Sequence, residues 1–153
     1  MTRKAELVLI AASVLILGLL AYLASTGRFS RTGPVNRVVE IPESSLPQGF
    51  PSDVPIEAGA KILKNYTATS PSGRVQATRE FESSRSVGEN FSLYRSFLSQ
   101  SGWKLLYELD DARSPSYKAV FGRNAAGVLN VSIRAGAAPD TSIVDVSFLP
   151  SGS

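Results

Sequence analysis

The side chains able to do chemistry in this chain are few, and most are carboxylates. Asp53 and Glu57 flank Pro55, and a carboxylate pair held about 5 to 10 Å apart can act as acid and base or bind a cation. Calcium, however, takes about six to eight oxygen ligands, and no EF-type spacing surrounds this pair, so a solvated loop is the expectation. Glu108, Asp110 and Asp111 beside Arg113 form the densest acidic cluster. They sit where two strands meet in a turn, which reads as a charged hairpin tip. Trp103 and Tyr107 could line a sugar or peptide groove. Under strict strand alternation they share one side with Leu105, the side a helix would cover, so core packing is expected.

What is missing narrows the chemistry further. The chain has no cysteine, which excludes a disulfide framework, a thiolate metal site, a cysteine nucleophile and lipid attachment at a lipobox cysteine. It has no histidine, which removes Ser-His-Asp and histidine-zinc chemistry. A phosphate-cradling glycine loop, a nucleophile elbow and a Walker-type lysine are absent from the sequence as well. Asn65-Tyr66-Thr67, Asn90-Phe91-Ser92 and Asn130-Val131-Ser132 match the glycosylation acceptor pattern, but they fall in expected strands and a helix, where such matches arise by chance. No residue is assigned a catalytic, cofactor-binding or metal-binding role, and no cofactor is expected.

The elements that would position these side chains begin with an anchor. Leu7 to Ala24 is an uncharged apolar run of 18 residues; at ~1.5 Å per residue it spans about 27 Å, close to the ~30 Å hydrocarbon core of a bilayer. It shows no polar stripe, as a core helix of a soluble protein would. A cleavable signal peptide is the rival, with Arg3 and Lys4 as its basic head and Ser25-Thr26-Gly27 as a cleavage site, but the run exceeds the usual h-region of about 7 to 15 residues. The expectation is therefore residues 1–25 as a single transmembrane helix in contact with lipid. Arg3 and Lys4 oppose Arg28, Arg31 and Arg37 across it, and the short basic head favours an extracytoplasmic domain. The span lacks a small-xxx-small pairing motif, because Val14 and Tyr22 stand four positions from Gly18.

Residues 26–53, with prolines at 34, 42, 47 and 51, read as a flexible, semi-extended linker. Within it only Arg37 to Ile41, with Val38 and Val39, offers a short strand or a membrane-proximal contact. Residues 54–150 read as one small domain. Lys61 to Thr69 and Arg74 to Ser83 form a hairpin around Ser70-Pro71-Ser72-Gly73. Ser86-Val87-Gly88-Glu89 is a capping box that starts a helix, with Phe91, Tyr94, Phe97 and Leu98 on one face and Gly102 as its stop. Trp103 to Leu109, Tyr117 to Arg123, Val128 to Ala135 and Ser142 to Leu149 then read as four meandering strands, alternating as a sheet with one wet face does. The expected class is α+β: a transmembrane helix plus a two-layer domain of order β-β-α-β-β-β-β, one helix on an antiparallel sheet.

Phe50-Pro51-Ser52-Asp53-Val54-Pro55 with Gly59, and a helix carrying Tyr94 and ending in Ser101-Gly102-Trp103, resemble small domains of uncharacterised bacterial envelope proteins and lipoproteins. The resemblance covers roughly Phe50 to Leu149 and implies an extracytoplasmic location. It carries over no catalytic residue, and the missing lipobox cysteine leaves the apolar helix in place of the lipid.

The net charge of +3 comes mainly from the N-terminal flanks. Without clustered basic residues no nucleic-acid partner is expected. The resulting expectation is a membrane-anchored envelope protein with a noncatalytic domain that binds a protein or cell-wall partner or serves as a complex subunit. The alternative is a pilin-like filament subunit processed after Ala5, on the pattern Lys4-Ala5-Glu6-Leu7. An envelope enzyme comes last, since only Ser, Lys, Tyr and carboxylates remain as catalytic groups.

Overall fold

The computed structural model describes residues 37–151. Alternating β-branched and aromatic residues form seven strands around one helix: β1 (Arg37–Glu40), β2 (Ile62–Thr69), β3 (Val75–Ser83), α1 (Val87–Gln100), β4 (Lys104–Leu109), β5 (Tyr117–Arg123), β6 (Gly127–Ala135) and β7 (Ser142–Pro150). All strands join one antiparallel sheet in the order β1-β2-β3-β7-β6-β5-β4. The meander β4 to β7 folds back until β7 pairs with β3, and α1 carries the chain from the sheet's middle to its far edge.

This corrects the expected class. The described residues are mainly strand, a seven-stranded antiparallel sheet with a single helix, rather than an α+β domain of six strands. No helix among them is long and apolar enough to cross a membrane; the apolar run Leu7 to Ala24 lies outside the described residues.

The seventh strand comes from the stretch expected to be a linker. Its prolines break helices, as anticipated, but they build turns. The carbonyls of Pro42, Pro47 and Pro51 each accept the N–H three residues on, from Ser45, Phe50 and Val54 at 2.9, 3.0 and 3.4 Å. Gly49 supplies the positive φ (82°) before Phe50, a conformation that costs glycine little. This strap buries Pro47, Phe50 and Val54 on the sheet.

The helix starts at the capping box: Ser86 Oγ accepts from Glu89 N, and the Glu89 carboxylate accepts from Ser86 N at 2.8 Å. It ends where Gly102 turns left-handed (φ 74°) and the N–H of Trp103 reaches back to Leu98 O at 3.1 Å, closing orphan carbonyls. Its buried face of Phe91, Tyr94 and Leu98 contributes about 1.5 to 3 kcal/mol per large side chain. Gly122 of β5 is required by this packing, because a Cβ there would stand 2.9 Å from Leu98 Cδ2. Leu129, Val131, Ile133, Val144, Val146 and Phe148 complete the core, and Trp103 packs edge-on against Phe148 at 6.2 Å.

Candidate functional site

The core face of the sheet is covered by α1 and by the strap, and side chains inside the sheet hold the strap down. Asn65 of β2 is buried; its Nδ2 donates to the carbonyls of Ile41, Pro42 and Ser45 at 3.2, 2.8 and 2.9 Å. Arg79 of β3, its register partner, donates to Ser45 O at 2.9 Å and Glu43 O at 2.7 Å. Burial disfavours the Arg79 cation, and Glu43 opposes that effect. These are structural pins, and Asn65 is too enclosed to accept a glycan.

A second polar hub ties α1 to the sheet. Buried Asn90 donates to Ser83 Oγ and Ser142 Oγ, both at 2.8 Å, and Ser142 Oγ donates to Arg85 O at 2.8 Å. Ser83 Oγ donates to Glu57 at 2.6 Å while accepting from Asn90 and from Arg85 N. A hydroxyl with its proton and both lone pairs engaged is no nucleophile. The hydrogen bonds from Ser83 and Ser84, opposed by partial desolvation, hold the Glu57 carboxyl below the usual range. Beside this hub lies a cleft of about 370 Å³, walled by Ala58, Gly59, Ala137 and Ala138.

The structure does not bring together the carboxylates singled out from the sequence. Glu57 belongs to the β3–α1 junction, while Asp53 is exposed in a turn of the strap. The acidic tip disperses: Glu108 pairs with Arg95 of α1 at 2.8 Å, Asp110 with Lys118, and Asp111 with Arg113 at 2.9 Å. Among the described residues no group of three or more potential ligands could hold a metal ion.

Tyr107 departs from its expected place. Trp103 is in the core, but the β4–β5 register shifts between Leu105 and Tyr107. One extra residue in a strand reverses the side chains that follow it. Leu105 faces the core, whereas Tyr107 emerges on the opposite face, 55% exposed and 5.9 Å from the Phe121 ring.

That opposite face carries the arrangement that strand patterning alone did not reveal. The described helix packs on the core face and leaves this one to the strands. Following the register, Glu40, Tyr66, Thr78, Ser147, Asn130, Phe121 and Tyr107 form one row across all seven strands. Its centre is a polar ladder: Gln76 Nε2 donates to Thr78 Oγ1 at 3.1 Å, Thr78 and Ser147 hydroxyls meet at 3.0 Å, and Ser147 Oγ donates to Asp145 at 3.1 Å. Thr78 is fully buried by its neighbours. In the next row Glu80 faces Asp145 across β3 and β7. Glu80 is paired with Lys64 at 3.1 Å and Arg134 at 3.5 Å. Burial pushes the Asp145 carboxyl up, the Ser147 hydrogen bond opposes this, and Glu80 adds to it.

Comparison with family models, curated proteins and solved structures finds no match to this chain. The likeness to small envelope domains rests on its short motifs alone.

Proposed function

We propose that this protein is a membrane-anchored envelope component whose β domain is a noncatalytic binding module, and that the partner docks on the open face of the sheet. The observation that carries the reading is the row from Tyr66 to Tyr107. Hydrogen-bonding side chains occupy its middle and aromatic rings its two ends, on the face that the helix leaves to the strands. A sheet with one wet face needs only solvated polar side chains there. This face instead carries Tyr66, Phe121, Tyr107 and Tyr117, and amphipathic rings of this kind are enriched where proteins meet partners.

Two adjacent carboxylates in unlike environments, Glu80 and Asp145, are the pattern from which acid–base chemistry is built. They are held here on a broad sheet surface, away from the cleft beside Ser83. Glu80 is compensated by Lys64 and Arg134. This favours binding over turnover. The 18-residue apolar run Leu7 to Ala24 supports membrane attachment, and the short basic head before it favours placing the domain outside the cytoplasm.

Site-specific photocrosslinking in the native membrane tests the reading. A benzophenone side chain at Tyr107 should give an adduct, whereas one at Ser96, exposed on α1, should not. Adducts from Ser96 alone would refute it.

A further inference from the structure

Resting on the open face as the binding surface, we infer that its ligand is an uncharged, extended glycan lying across the strands from Tyr66 to Tyr107. Three features converge on that class.

The first is geometry. The row crosses the sheet at right angles to the strands, with one side chain per strand. Strands lie about 4.8 Å apart, which is close to the pyranose repeat of an extended polysaccharide, so successive sugar rings meet successive strands. From Tyr66 on β2 to Phe121 on β5 is four strand steps, about 19 Å, and Tyr107 on β4 lies one step further. An added peptide strand, by contrast, would run along an edge and use backbone groups. The row offers side chains in the interior of the sheet.

The second is chemistry. A sugar ring has an apolar C–H face and an equatorial belt of hydroxyls. Tyr66 at one end and the edge-packed Phe121–Tyr107 pair at the other supply aromatic surface for the C–H face. Between them Ser147 and Asn130 supply a hydroxyl oxygen and an amide beside the buried Thr78, with Ser132 and Asp145 in the adjoining row. Polar groups of this kind complement sugar hydroxyls, which both donate and accept.

The third is charge. From Tyr66 to Tyr107 the row carries no charged side chain. In the row beside it Glu80 is paired with Lys64 and Arg134. A polyanion would need cations along its path to bind, and a polycation carboxylates. A row without charge complements a neutral ligand.

The test is calorimetric titration of the full chain in nanodiscs, free of sugar-headed detergent, with the extended neutral oligomers cellohexaose, hexa-N-acetylchitohexaose and β-1,4-mannohexaose. At least one should bind. Phe121→Ala and Tyr107→Ala should each weaken that binding about tenfold, with Ser96→Ala as an unchanged control. Tyr107 is exposed, so its variant folds even if Phe121→Ala does not. Binding that survives both aromatic substitutions overturns the inference. If no hexasaccharide binds while a benzophenone at Tyr107 still forms adducts, or if those adducts are to a protein, the glycan is wrong and the docking face stands. If neither signal appears, both fall.

Discussion

Replacing Asn65 with alanine isolates what holds the strap on the sheet. The Asn65 amide has two hydrogens shared among three carbonyls at 2.8 to 3.2 Å, equivalent to about two hydrogen bonds at ~1 kcal/mol each; its Oδ1 also accepts from Arg79 Nη1, at a long 3.4 Å that adds little. Ile41, Pro42 and Ser45 lie near the surface, so their carbonyls rehydrate and the full cost of a buried orphan acceptor is not incurred. Arg79 keeps its bonds to Ser45 and Glu43. The expected loss is therefore about 2 kcal/mol. Trp103, the only tryptophan and buried against Phe148, reports unfolding of the chain in micelles during a urea titration. Should the strap detach in the folded state, burial of Phe50 and Val54 is lost before the main transition and the urea dependence becomes shallower. Limited proteolysis between residues 41 and 53 detects the same event. A loss below about 0.5 kcal/mol, half of one ordinary hydrogen bond, with unchanged cleavage would refute the pinning argument.

Other substitutions test the remaining contacts. Tyr94 is buried and donates to Pro55 O; burial pushes its phenol above the usual tyrosine range. Above pH ~10 the unfolded chain loses that proton while the folded one keeps it, so stability falls as pH rises further. Tyr94→Phe should cost about 1 kcal/mol at neutral pH and flatten that alkaline decline in a pH series of thermal melts. Asp145, also pushed up chiefly by burial, opposes folding once pH exceeds its unfolded value. Asp145→Asn should therefore raise the melting temperature at pH 7, with the gain vanishing in acid below the unfolded pKa. Gly127→Ala would set a Cβ 2.3 Å from Leu149 O, and denaturant unfolding should show a loss of about 1 to 3 kcal/mol from the forced shift. After carbonate washing, the membrane fraction should retain a chain of full mass; a chain beginning at Glu6 would indicate pilin-type processing instead.

Local patterns carried much of the fold. The 70–73 turn, the capping box at Ser86 and the Gly102 stop are short-range devices whose partners lie within a few residues, and the structure places a hairpin and a helix there. The alternation of Leu129, Val131 and Ile133 likewise marks their shared face. The class is not legible in the sequence because β1 depends on distant groups. Nothing near Val38 and Val39 announces Asn65 and Arg79, which sit more than twenty residues away and fasten the strap beside β1. The candidate site was hidden for a related reason. Tyr107 reads as a core residue until a bulge, set by the pairing with β5, reverses it. The row itself exists only once the register of seven strands is known. Arg79 and Glu80, adjacent charges in the middle of a strand pattern, were the one available signal that both faces of β3 carry polar roles.

Hydroxyl-radical footprinting of the chain, in its own membrane and again after extraction, tests the docking face most directly. Modification at Tyr66, Phe121 and Tyr107 should be suppressed in the native membrane and recover on extraction, while Leu93 on α1 and Leu46 on the strap stay constant. Equal reactivity of the three aromatic residues in both settings, or protection confined to Leu93 and Leu46, would contradict the account.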